Sequence, residues 1–151
     1  MKIAIGCDHI ALELKKVIIE YVKSLNIEVE DVGTYTEERT HYPIYAAKAC
    51  DLVLKGEADF AILVCGTGVG MSIAANKIKG IRAVVCSDTY SAKMSRVHNN
   101  ANVLCFGALV VGNGLAKELI NAFLTNEYEG GRHKTRLDML SKIEDGYYNN
   151  L

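Results

Sequence analysis

Five short strand-like runs punctuate the chain: Lys2 to Gly6, Ile27 to Val32, Phe60 to Val64, Ile81 to Cys86 and Val103 to Phe106. Phe60 to Val64 is unbroken in its apolar character and rich in β-branched and aromatic residues, as a strand buried on both faces should be. Between them the apolar residues recur with helical spacing. Leu14, Val17, Ile18, Tyr21, Val22 and Leu25 form one such stripe, and Ala46, Ala49, Val53 and Leu54 form a second that ends near Gly56. A short helix over Met71 to Ala75 has Lys77 and Lys79 in its last turn and Gly80 as its C′ residue. Tyr90, Met94 and Val97 mark another, capped by Ser87 or Asp88, followed by Leu115 to Leu124 and a terminal helix with Leu137, Leu140 and Ile143 on one side. Alternation of this kind calls for an α/β fold, a parallel sheet with helices on both faces and right-handed crossovers. The expected strand order is 2-1-3-4-5, with ligands gathering beyond the carboxyl ends of strands one and three, where the winding reverses.

One stretch organises the chemistry. Phe60 to Val64 runs directly into Cys65 and the alternating glycines Gly66, Gly68 and Gly70. Such glycines allow a tight turn that aims several N–H groups at one ligand, with the following helix adding its positive end. A cysteine at that lip should have a raised thiolate fraction. The same residues also suit a simple close-packed strand-to-helix turn, with Cys65 a small buried apolar group. A nucleotide site is the rival reading of the glycines. It fits poorly, because the third glycine comes one residue early for G-x-G-x-x-G and the turn lies in the third βα unit.

Length and composition narrow the field. With 151 residues the chain has the size of one domain, spanning 1–151, and half of its residues are hydrophobic. A net charge of −1 carries no nucleic-acid footprint. The start MKIAIGCDH turns polar too soon for a signal peptide, and no apolar run approaches membrane-spanning length, so a soluble, cytoplasmic protein without nucleic-acid or membrane partners is expected. Five cysteines without C-x-x-C spacing favour reduced thiols over disulfides or zinc, and Cys7, Cys50, Cys86 and Cys105 read as packing residues. No metal or cofactor is expected.

The remaining polar groups suit proton transfer. Cys65 could take a proton beside a carbonyl while turn amides hold the enediolate oxygen, which fits isomerisation of a small sugar. Arg132 and Arg136, one turn apart beside Gly130, Gly131 and His133, could clamp a phosphate or merely solvate a helix face. His98, beside Asn99 and Asn100, is a candidate acid/base or a helix-end dipole partner. His9, next to Asp8, is a ligand group or a cap neighbour, and His41 belongs to the polar loop GTYTEERTHYP, itself a candidate part of a binding site.

The segments GCDH, THYP, CGTGVGMSIAANKIKGIRA, SRVHNNANVL and YEGGRHKTR, in that order, resemble the signatures of the type B ribose-5-phosphate isomerase family, which also holds the galactose-6-phosphate isomerase subunits. The resemblance covers nearly the whole chain. It implies a three-layer α/β/α sandwich, Rossmann-like, with a five-stranded parallel sheet and an extra C-terminal helix. It also implies a homodimer or dimer of dimers with interfacial active sites, and cofactor-free interconversion of ribose 5-phosphate and ribulose 5-phosphate in the pentose phosphate pathway. Carried over by position, Cys65 is the base between C1 and C2 and Thr67 its helper, and the Gly66, Gly68, Val69 and Gly70 amides form the enediolate hole. His98 opens the furanose ring, Asp8, His9 and Asn99 hold the sugar, and Arg132 and Arg136 bind phosphate. Leu109 departs from the pattern, standing in FGALVVG where the family commonly has a phosphate-binding arginine. Losing such a partner costs about 1.5–3 kcal/mol, roughly tenfold or more in affinity. A 6-phosphate hexose, allose or galactose, is therefore the alternative substrate, and a non-catalytic sugar-phosphate binding module is the alternative class.

Overall fold

The computed structural model describes residues 1–147 and 149; residues 148, 150 and 151 of the expected 1–151 domain lie outside the described residues. Five parallel strands, β1 (Lys2–Cys7), β2 (Glu28–Gly33), β3 (Phe60–Cys65), β4 (Ala83–Val85) and β5 (Val103–Gly107), form one sheet in the order β2-β1-β3-β5-β4. Around it stand α1 (Leu12–Ser24), α2 (Tyr42–Leu54), α3 (Val69–Ala75), α4 (Thr89–Val97), α5 (Asn113–Leu124) and α6 (Arg132–Glu144).

The pleat sorts the strand residues into two cores. Ile3, Ile5, Ile62, Val64, Leu104 and Phe106 face α1, α4 and α5. On the other face Ala4, Ala61, Leu63, Cys65, Val103 and Cys105 meet α2 and α3, where Ala46, Ala49, Cys50, Met71 and Ala75 are also buried. Strands β1, β3 and β5 are covered on both sides, so their sequences read as nearly continuous apolar runs. The three-layer α/β/α architecture matches the expectation.

The strand order differs from 2-1-3-4-5 in one exchange: β5, not β4, lies against β3. Burial accounts for this. All five residues of Val103–Gly107 are buried, whereas β4 is three residues long and its Val85 is 45% exposed. A strand with a polar neighbour such as Arg82 suits the edge, as does Glu28–Gly33 at the opposite edge. The outer rim of β4 is closed by a side chain: Asn76 accepts from the Ala83 N–H and donates to the Ala83 carbonyl, both at 2.8 Å. Its amide occupies the place of a sixth strand.

Lys15 was hidden in the first helical stripe. It shares a face with Leu14, Ile18 and Val22 and is only 2% exposed. Its ammonium donates to both Asp31 oxygens, at 2.6 and 2.9 Å, and to the Thr34 carbonyl at 2.6 Å. Since the Thr34 N–H donates to the Cys7 carbonyl at 2.8 Å, this one cation ties α1 to the end of β2 and to the loop beside β1. Replacing it by an apolar residue strands a carboxylate. We expect Lys15→Met to lower unfolding free energy by about 3 kcal/mol, the lower end for a broken buried pair because Asp31 is 30% exposed, and Lys15→Met with Asp31→Leu to recover part of that loss, since Asp31 also accepts the Gly33 N–H, as read by urea denaturation.

Candidate active site

The first polar cluster lies where the sheet changes its winding direction, between β1 and β3. Asp8 follows β1, is 6% exposed, and donates its N–H to the Val64 carbonyl at 3.2 Å. Its carboxylate accepts from the Ile10 N–H at 3.0 Å and caps a single 3₁₀ turn. The capping role expected near His9 thus falls to Asp8. His9 accepts the Thr40 N–H on Nδ1 at 3.3 Å, a contact that selects the tautomer with its proton on Nε2. Thr40 and Tyr45 share a hydrogen bond of 2.9 Å between hydroxyls, so the loop before α2 is tied to the site.

Cys65 ends β3. It is 5% exposed, with apolar neighbours behind it, and its Sγ accepts the Gly68 N–H at 3.1 Å. Burial pushes the thiols of Cys7, Cys50 and Cys86 up to about 11, and that of Cys105 well above its ordinary value. Those four are packing groups. Thr67 is exposed and its hydroxyl accepts the Val69 N–H at 3.4 Å.

Two glycines set this geometry. Gly68 has φ +80°, and a Cβ there would stand 2.7 Å from the Phe106 backbone. Gly107 is its counterpart on β5, where a Cβ would meet Thr67 Cα at 2.5 Å and the Gly66 oxygen at 2.6 Å. The turn therefore lies directly on the end of β5, pinned by the Ala108 N–H on the Cys65 carbonyl (2.8 Å) and the Leu109 N–H on the Gly66 carbonyl (3.0 Å). Its carbonyls are held inward. With α3 only seven residues long, the local amides carry more of any anion-binding capacity than a helix dipole does.

The second cluster lies at the opposite end of the sheet. Helix α4 runs back from the carboxyl edge, and His98 is its C-cap; four residues later the Asn102 carbonyl accepts the Ala61 N–H where β3 begins. His98 stacks on His133, with ring centroids 4.2 Å apart and planes 12° off parallel. His133 is 5% exposed, and burial, then His98, Arg132 and Arg136, hold its pKa below the ordinary histidine value. Asn99, Arg132 and Arg136 are all exposed around this pair. Buried Arg96 shapes the turn, donating through Nη1 to Asn100 Oδ1 at 2.9 Å and to the Ala101 carbonyl at 2.6 Å.

Thus the structure brings Asp8, His9, Cys65, Gly66, Thr67, Gly68, Val69 and Gly70 together, and separately brings His98, Asn99, Arg132 and Arg136 together. The five residues of β5 span about 17 Å at the usual rise, and roughly that length separates the groups within one chain. A cavity of about 280 Å³, lined by Ile81, Arg82, Asn99, Leu140 and Ile143 among others, opens under α6 away from Cys65. Its lining holds no thiol, hydroxyl or imidazole. Sequence reasoning missed Tyr42, whose ring covers Gly70 so closely that a Cβ there would meet it at 2.8 Å, and Ile10, which flanks Gly66 together with Leu109. The one signal for Tyr42 was the polar loop that ends in Tyr42 and Pro43; Ile10 had none.

A doubly wound sheet with a thiol and a triple-glycine turn at its switch point is the layout of a small-molecule enzyme. The chain belongs to the Ribose/Galactose Isomerase family, whose model matches residues 3–140. It is 54% identical over 143 residues to ribose-5-phosphate isomerase B of Escherichia coli (strain K12), covering 95% of this chain and 96% of that protein. The structure of Clostridium thermocellum ribose-5-phosphate isomerase B superposes with a TM-score of 0.95 at 47% identity, over 97% of this chain and 99% of that one. That of the Mycoplasma genitalium enzyme with bound ribulose 5-phosphate gives 0.91 at 39% identity, over 95% and 96%.

The thiol environments lead to a labelling prediction. Iodoacetamide at neutral pH should modify Cys65 in the native protein well before Cys7, Cys50, Cys86 or Cys105, as followed by peptide mass analysis; equal labelling of all five would contradict the geometry.

Proposed function

We propose that this protein interconverts ribose 5-phosphate and ribulose 5-phosphate through a cis-enediol, without a cofactor, as a step of the pentose phosphate pathway in the cytoplasm. Residues 1–151 serve as one isomerase domain. The observation that carries this reading is the Cys65 sulfur, seated on the Gly68 N–H at the mouth of a turn whose carbonyls are tied down. The two solved relatives above support the substrate by name.

In the open-chain sugar, the Cys65 thiolate removes the proton from C2, and the C–H electron pair forms the C1–C2 double bond of the enediolate. Amides of Gly66, Gly68, Val69 and Gly70 stabilise the oxygen that gains charge. Thr67 relays the proton between the two hydroxyl positions, and the thiol returns its proton to C1, completing the aldose-to-ketose change. Asp8 and His9 hold the sugar hydroxyls. His98 opens the furanose ring beforehand, Asn99 binds the sugar, and Arg132 and Arg136 take the phosphate.

These last four residues cannot reach Cys65 of their own chain, so the proposed unit is a homodimer, or a dimer of dimers, with each site shared between subunits. Two apolar surfaces support such association. Val69 and Ile73 around α3 are 48% and 55% exposed, and Met139, Leu140 and Ile143 on α6 are 37–45% exposed.

Leu109 supports a second reading, in which a 6-phosphate hexose is preferred. It is 75% exposed at the lip of Gly66 and offers no charge to a phosphate. Turnover of ribose 5-phosphate compared with allose and galactose 6-phosphates separates the two, and saturable binding without solvent exchange at C2 would make the protein a non-catalytic binder.

Two further outcomes are expected. Cys65→Ala should abolish isomerisation while keeping the far-ultraviolet spectrum of the wild type. His98→Asn should impair furanose opening more than isomerisation of an open-chain substrate. When the two variants are refolded together, half of the dimers are mixed and each carries one complete site, so about a quarter of wild-type turnover should return; no recovery would reject shared sites.

A further inference from the structure

His98, Glu129 and His133 present one nitrogen or oxygen each, and these atoms all lie within 4.8 Å of one another. The Nε2 of His133 is fully buried and has no hydrogen-bond partner. Glu129 stands nearest on the exposed side, its Oε2 3.9 Å from that nitrogen, too far for a hydrogen bond. An orphaned buried imidazole nitrogen is costly unless something else uses its lone pair or proton.

We propose that these three side chains form an inhibitory site for a divalent cation of the Zn²⁺ class, with water in the fourth position. Two imidazoles and a carboxylate suit zinc better than magnesium or calcium, which prefer all-oxygen shells. Ligand atoms around tetrahedral zinc stand roughly 3.3 Å apart given bonds near 2.0–2.2 Å, so Glu129 and His98 reorient on binding. His133 is the fixed member. Glu129 is an exposed side chain that can swing inward, and His98, half-buried at the end of α4, turns out of its parallel stack so that its nitrogen converges on the ion. Glu129 itself is placed by its N–H, which donates to the Val97 carbonyl at 3.1 Å, next to His98 in the chain.

Occupation takes the His98 nitrogen away from a sugar ring, so the ion blocks ring opening. That consequence rests on the isomerase reading above; the binding does not.

The test uses the full-length protein, stripped with a chelator and titrated with Zn²⁺ alone by calorimetry, with Co²⁺ as a spectroscopic substitute. We expect one ion per chain, a tetrahedral cobalt spectrum lacking sulfur-to-metal charge transfer, and affinity reduced tenfold or more in Glu129→Gln and in His133→Gln, since loss of a direct ligand costs no less than loss of an outer-shell partner. Thermal melts check that His133→Gln is folded, and Glu129→Gln tests the proposal independently of it. Metal-free Glu129→Gln should turn over substrate like the wild type and resist zinc. Absence of binding, unchanged affinity in Glu129→Gln, or binding that disappears in Cys65→Ser with a thiolate band in the cobalt spectrum would each overturn the proposal. If zinc binds as expected yet leaves turnover untouched, the inhibitory role is overturned together with the ring-opening role of His98, and only the binding stands.

Discussion

The triple-glycine turn and the end of β5 approach each other so closely that neither has room for a side chain at the point of contact. Any side chain at Gly107 would collide with Thr67 and Gly66, and any at Gly68 with Phe106. Because neither exists, the turn settles onto the strand end, its two carbonyls are occupied by the amides of Ala108 and Leu109, and the Gly68 N–H is left to face the sulfur of Cys65. Strand order, turn conformation and thiol environment are one arrangement. A sheet in which β4 lay next to β3 would offer the turn a short, partly exposed strand in place of a buried one.

The same polarity that builds the first cluster separates it from the second. Every strand points the same way, so each loop that follows a strand opens at one edge and each loop that follows a helix opens at the other. Asp8 and Cys65 belong to the first kind; His98 and the α6 arginines belong to the second. The fold itself is therefore what makes association with another copy a natural reading, more directly than any apolar surface does.

Much of this was legible beforehand. The β1, β3 and β5 runs are apolar on both faces, and the carboxyl ends of β1 and β3 carry residues with chemistry, so the sheet and its switch point follow from pattern alone. The order of the last two strands did not, because pairing depends on which run is buried on both sides, and Arg82 within Ile81 to Cys86 is the one mark of an edge in the sequence. Lys15 was hidden because a lysine in an apolar stripe reads as an interruption; only the carboxylate of Asp31 and the carbonyl of Thr34 make its burial sensible. Tyr42 and the His98–His133 stack are contacts between distant segments, invisible to periodicity. The resemblance named residues of both clusters, while their division between two edges is a property of three dimensions.

Asn76 has a consequence outside the active site. Parallel sheets with a bare rim invite another extended segment to dock by backbone pairing, the first step of ordered aggregation. Here a carboxamide already satisfies the outward donor and acceptor of Ala83. A segment adding at that point of the β4 rim would first have to displace the Asn76 side chain.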